Sequence, residues 1–253
     1  MKPLIVANWK MNPLNLAQAK RLFNSVKRGL KNIKKAEVVI CPPFVFISNF
    51  QNLSSNNLKL GAQNLFWEEI GAYTGEISGA MLKNIKCQYV IVGHSERRRY
   101  FGENEEMINK KLKAALELKL FPILCVGETQ NEREKGETES ILKKQIEGAL
   151  KKISRQKIEK LKLFIAYEPV WAIGTGKPCD FEEAQKMGLV IKKIISKIYN
   201  SINFAQKIPI LYGGSVNSRN GIGYIKEAGL QGLLVGGASL NAKEFVNLIR
   251  KIC

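Results

Sequence analysis

Glu168 ends an apolar run, LFIAYE (163–168), and is followed at once by Pro169, the apolar stretch VWAI, and Gly174-Thr175-Gly176. A carboxylate so placed can act as a general base, removing a proton from a carbon beside a carbonyl, if water is excluded and the bound molecule is held in line. An isolated acid there could equally serve a structural ion pair. Proline restricts the chain just after the acid, and the glycines can absorb a large backbone change. Residues 169–176 therefore read as a hinged lid, with VWAI covering a bound molecule and drying the site.

His94 is the single histidine, placed after the run YVIVG (89–93) and opening the segment HSERRR. Its first residues are cap-like, and a helix N-terminus beside the imidazole disfavours the cation, leaving a ring that can polarise a carbonyl and carry a proton between two oxygens. A lone histidine could also be a satisfied core residue. Lys10 stands two residues past the run LIVAN (4–8), beside Asn8 at that run's end. Its ammonium can stabilise a developing negative charge, or it could be one surface lysine among many. Gly174, Ser215, Gly236 and Gly237 follow the sixth, seventh and eighth apolar runs, where backbone N–H groups can form a phosphate pocket. The stretch GTGK (174–177) is not a P-loop, because Trp171 stands where that motif needs its first glycine and Pro178 where it needs Ser or Thr.

These residues need a scaffold that brings many chain segments to one place. Eight short runs rich in Val, Ile and Leu recur: LIVAN (4–8), VVIC (38–41), LKLGAQ (58–63), YVIVG (89–93), PILCVG (122–127), LFIAYE (163–168), PILYGG (209–214) and GLLVGG (232–237). Each is too short for a helix and suits a buried parallel strand. Between most of them lie segments of helical period, such as 104–119 and 181–200. Eight strands alternating with helices predict a single (β/α)8 barrel over residues 1–253, with the site at the C-terminal ends of the strands. Gln63 and Asn64 stand at such an end too. The rival, a doubly wound open sheet, would usually carry a glycine fingerprint after its first strand, and LIVANWKMN has no glycine.

A chain of 253 residues, 45% of them hydrophobic, can bury a large core. The opening MKPLIVANWKMN lacks the apolar core of a signal peptide, and no stretch approaches a membrane span. A soluble, cytoplasmic protein is expected. Cys41, Cys87, Cys125, Cys179 and Cys253 form no CxxC pair and should be reduced thiols. One histidine excludes a His-rich zinc site. The net charge of +18 is spread along nearly every predicted helix, as in KKLKAALELK, and reads as solvated helix faces, not a specific nucleic-acid surface. The general positive field would still attract small anions.

The stretches ANWKMN (7–12), GAYTGEIS (71–78), GHSERR (93–98), CVGET (125–129), YEPVWAIGTGK (167–177), YGGSV (212–216) and VGGASL (235–240) resemble the motifs of the triosephosphate isomerases, in order and spacing, from end to end of the chain. The resemblance implies a homodimeric enzyme of glycolysis and gluconeogenesis that interconverts dihydroxyacetone phosphate and D-glyceraldehyde 3-phosphate through an enediol(ate), without metal or organic cofactor. It implies Glu168 as the base, His94 as the electrophile, and Asn8 with Lys10 as an electrophilic pair that also meets substrate. Glu96 resembles the acid that neighbours this lysine. Gly174, Ser215, Gly236 and Gly237 match the phosphate site. Thr74, in the excursion FWEEIGAYTGE (66–76), matches a residue that reaches the partner's active site. The high basic charge departs from the family's usual character and leaves the site motifs intact.

Overall fold

The computed structural model describes residues 2–52 and 57–253; Met1, at the head of the opening stretch, lies outside the described residues. Eight parallel strands form a closed barrel in chain order: β1 (Leu4–Asn8), β2 (Glu37–Cys41), β3 (Leu58–Ala62), β4 (Tyr89–Val92), β5 (Phe121–Val126), β6 (Phe164–Tyr167), β7 (Ile210–Tyr212) and β8 (Gly232–Val235). Closure comes from Leu4 pairing with Glu37 on one side and Gly232 on the other. The (β/α)8 barrel expected from the eight apolar runs is the observed fold.

Alternation within the strands makes two cores. Leu4, Val6, Ile91, Ile123, Cys125, Ala166, Leu211 and Leu234 pack against one another inside the barrel. The intervening residues, such as Ile5, Ala7, Val90 and Leu233, pack outward under the helices. Successive side chains of a strand point to opposite faces. Carried past the strand ends, the same alternation puts Asn8, Glu168, Gly213 and Gly236 on inward positions at the barrel mouth. Most predicted runs overshoot the strands at this end: β3, β4 and β6 stop before Gln63, Gly93 and Glu168. There the chain leaves the ladder to turn across the mouth.

The helices that frame the site, or explain the charge, are α1 (Leu16–Gly29), α2 (Ser95–Phe101), α3 (Glu105–Glu117), α4 (Phe181–Tyr199), α5 (Gly221–Lys226) and α6 (Ala242–Ile252). In α1 the Asn15 side chain caps Gln18 N, and Ala19, Phe23 and Val26 form the buried stripe. Phe23 stacks on Phe50 at 4.4 Å, and Trp9 meets the same ring edge-on. Truncating Phe23 to alanine would cost about 3–5 kcal/mol.

In α3 the buried stripe of Ile108, Leu112 and Ala115 also contains Lys111. That corrects the reading of KKLKAALELK as a solvated lysine face. Lys111 Nζ donates to Asn64 Oδ1 at 2.8 Å and pairs closely with Glu103, which also meets Arg97 Nε. Its neighbour Lys110 does face solvent, pairing with Glu106 at 2.8 Å. Among the described residues no helix is long and apolar enough to cross a membrane.

Candidate active site

A cavity of about 540 Å³ opens at the C-terminal mouth and is lined by Asn8, Lys10, His94, Glu168, Gly174, Ser215, Gly236 and Gly237, together with Ile173, Arg219 and others. Those first eight are all but two of the residues to which the family resemblance gives a role. Glu96 stands behind Lys10, and Thr74 is exposed on the excursion after β3.

Glu168 is 1% exposed. Its Oε2 accepts a hydrogen bond from Ser95 N, at the start of α2, at 3.0 Å. Its Oε1 lies 3.2 Å from His94 Nε2, at an angle that makes no hydrogen bond, and has no hydrogen-bond partner among the described residues. One carboxylate oxygen is thus anchored and the other is open. Space for this acid comes from glycine. A Cβ on Gly127 would sit 1.8 Å from Glu168 O, and one on Gly213 would sit 2.8 Å from its Cγ. Neither glycine was singled out from sequence for this role. Behind the acid, burial first and the Glu168 charge second push the Cys125 thiol well up, so it stays protonated. All five cysteines are free.

His94 is itself the N-cap of α2, and its Nδ1 accepts from Glu96 N at 3.2 Å. An imidazole whose Nδ1 accepts carries its proton on Nε2, the atom that faces Glu168 and the cavity. The cap-like reading of HSERRR therefore becomes a ring orientation.

Lys10 adopts φ +52, a left-handed conformation that costs a non-glycine residue about 1–3 kcal/mol. Its surroundings hold it there. Asn8 Oδ1 accepts from Lys10 N at 3.1 Å, and Gln63 Nε2 donates to the carbonyls of Lys10 at 2.8 Å and Cys41 at 2.9 Å. Glu96 Oε1 takes the ammonium at 2.5 Å. Gln63 was visible in sequence only as a polar residue at a strand end. The Lys10 stem also passes close to Gly236, where an added Cβ would lie 3.3 Å from Lys10 Cε.

The lid segment is gripped at several points. Val170–Ala172 form a short 3-10 turn, and Gly174 and Gly176 have φ +71 and +72. Of VWAI only Ile173 lines the cavity. Trp171 instead turns away, donating from Nε1 to Glu128 Oε1 at 2.7 Å, with the Arg133 guanidinium 4.6 Å above its ring. A half-buried indole needs a partner for its N–H, and Glu128 supplies it. Glu128 is fully buried, so burial pushes its carboxyl up, partly offset by bonds from Trp171 and Tyr167. Ser215 Oγ donates to Ala172 O at 2.6 Å, and Cys179 N donates to Tyr212 OH at 3.0 Å. Gly214 makes room for that phenol, since a Cβ there would meet it at 2.3 Å.

Fold and site together define a (β/α)8-barrel enzyme with an acid, an imidazole and a lysine beneath a lid. The chain belongs to the triosephosphate isomerase family, whose profile matches residues 3–252. It is 47% identical over 251 residues to the triosephosphate isomerase of Dictyoglomus turgidum, covering 98% of this chain and 99% of that protein. It is 47% identical over 249 residues to that of Alkaliphilus oremlandii, and 46% identical over 250 residues to that of Endomicrobium trichonymphae, each match covering 98% of both chains.

Proposed function

We infer that the chain, as one barrel domain, interconverts dihydroxyacetone phosphate and D-glyceraldehyde 3-phosphate through an enediol(ate). The observation that carries this reading is the pairing, in one lidded cavity, of an open Glu168 oxygen with a His94 Nε2–H 3.2 Å away. Glu168 removes a proton from the carbon beside the substrate carbonyl, and His94 donates from Nε2 to the carbonyl oxygen as negative charge grows there. Lys10 and Asn8 meet the same oxygens, and the Lys10 ammonium stabilises the enediolate electrostatically. His94 then takes the proton from the neighbouring hydroxyl, and Glu168 returns its proton to the adjacent carbon. Ketone and aldehyde have exchanged places with no net change in protons.

Gly174, Ser215, Gly236 and Gly237 hold the phosphate through the main chain. Glu96 is a positioning residue that holds Lys10. The closed lid keeps water out and holds the phosphate close to the enediolate plane, so that the C–O bond cannot align for phosphate loss. A coupled assay with glyceraldehyde 3-phosphate tests the reading, and isomerisation run in D2O should place solvent deuterium on the carbon that receives the proton. Absence of turnover by folded protein would sink it.

We extend this reading to a cytoplasmic homodimer. Met11, Leu14, Val45, Ile70, Tyr73 and Tyr100 are exposed apolar residues on segments that follow β1 to β4, with Met11 91% and Ile70 90% exposed. Apolar surface gathered in this way suits a second copy of the chain. The excursion carrying Thr74 is ordered by Phe66, which stacks on Trp67 at 4.0 Å and packs on Tyr73 at 4.6 Å. Thr74 at its tip then reaches the partner's site. Sedimentation of the intact protein and of Ile70→Asp checks this: a dimer should become a monomer with reduced turnover.

A further inference from the structure

The two main-chain groups of Cys179, where the lid joins α4, are held by two stacked phenols. Cys179 N donates to Tyr212 OH at 3.0 Å, and Tyr224 OH donates to Cys179 O at 2.5 Å. The two rings are parallel within 13° and 3.7 Å apart, and Phe181 meets Tyr224 edge-on at 4.9 Å. All of these groups except Phe181 are buried, so each bond is shielded from water.

Tyr224 lies on α5, which follows directly from the segment carrying Ser215. Asn220, the residue before α5, donates from Nδ2 to Ser215 O at 3.0 Å and ties the two together. Ser215 in turn grips Ala172 O. One stretch of chain, 212–224, therefore holds the lid on both sides of its tip. Between the grips lie Gly174 and Gly176, where an added Cβ would meet no described atom within 4 Å. The tip is lightly packed and its two ends are pinned.

We propose that Tyr224 is a positioning residue for the reaction, setting the C-terminal hinge of the lid by holding the Cys179 carbonyl. This rests on the isomerase reading above. That carbonyl is buried, and without the phenol it would lack a donor, which loosens the hinge on which closure over a ligand depends. Ligands that need the closed lid should feel the loss; catalysis by Glu168 on an already closed complex should not.

The test is Tyr224→Phe, which keeps the ring stack and removes only the hydroxyl, compared with Tyr224→Leu, which removes both. The readouts are kcat and KM for glyceraldehyde 3-phosphate, inhibition by 2-phosphoglycolate, and inorganic phosphate released per turnover of dihydroxyacetone phosphate. Tyr224→Phe should bind 2-phosphoglycolate about 2- to 10-fold more weakly, the loss expected for one hydrogen bond, and release more phosphate per turnover. A folded Tyr224→Phe with unchanged inhibition and phosphate release, only Tyr224→Leu being impaired, would reduce Tyr224 to packing and overturn the proposal. Failure of the unaltered enzyme to isomerise would instead overturn the underlying reading. Should Tyr224→Phe not fold, 3-fluorotyrosine placed at 224 in the otherwise intact enzyme gives the same answer. Its 19F resonance should shift when 2-phosphoglycolate binds, and an unmoved resonance contradicts the role.

Discussion

Two lysine–glutamate pairs in this barrel have the same chemistry and different uses. Lys10 and Glu96 meet at 2.5 Å with side chains 30% and 38% exposed, at the edge of the cavity. Lys111 and Glu103 meet with side chains 2% and 1% exposed, and Asn64 and Arg97 complete the cluster. Burial pushes the Lys111 ammonium's pKa down, and the attraction of Glu103 offsets this only in part. The buried lysine thus spends its donors on protein. Lys10 has one face on Glu96 and another on the cavity, held in a left-handed backbone by Asn8 and Gln63. A charge becomes available for chemistry when the fold fixes its position without satisfying it completely.

The sharpest way to break this comparison is to remove each lysine. Lys111→Met leaves Glu103 buried, facing only Arg97, and should destabilise the protein by about 3 kcal/mol, the lower part of the range for breaking a buried pair. For a chain of this size that lowers Tm by roughly 6–12 °C, measured by calorimetry, while kcat of the folded fraction stays near its original value. Lys10→Met should do the reverse. Its kcat should fall on the order of 10²- to 10³-fold, as for loss of a preorganised charge at a developing oxyanion, with Tm little altered. Equal damage to stability and turnover from both changes would erase the distinction.

A smaller effect sharpens it. Replacing both members, Lys111→Met with Glu103→Gln, should recover part of the lost stability in denaturant titrations, because the desolvation of two ions disappears along with their attraction. The smallest effect belongs to Glu96→Gln. Its stability change should stay below about 1 kcal/mol, as for other exposed pairs, yet kcat should fall because the Lys10 ammonium loses the partner that sets its position. Unchanged kcat would remove Glu96 from any positioning role.

Much of the barrel was legible because its strands are buried on both faces and so are written as unbroken Val, Ile and Leu runs. The inward alternation that carries Asn8, Glu168 and Gly236 to the mouth follows from the same period of two. What sequence hides is direction and partnership. Lys111 looks like any lysine of KKLKAALELK, and only the packing of α3 shows that it shares a stripe with Ile108 and Leu112. Trp171 reads as part of an apolar cover, but its N–H finds Glu128, 43 residues away in the chain. Gln63, Gly127 and Tyr224 act through contacts between distant segments; at Gly127 an added Cβ would fall 1.8 Å from Glu168 O. Spacing along one strand carries no trace of such contacts.

The central claim is that Glu168 is the base, with one oxygen anchored on Ser95 N and the other free of any hydrogen-bond partner among the described residues. Glu168→Asp tests it most directly, since it keeps the charge and withdraws the carboxylate by one methylene, roughly 1 Å, enough to cost on the order of 10²-fold when alignment is lost. Steady-state kinetics with glyceraldehyde 3-phosphate should show kcat reduced by about that factor with KM little changed. A folded Glu168→Asp enzyme turning over at the original rate would contradict the account.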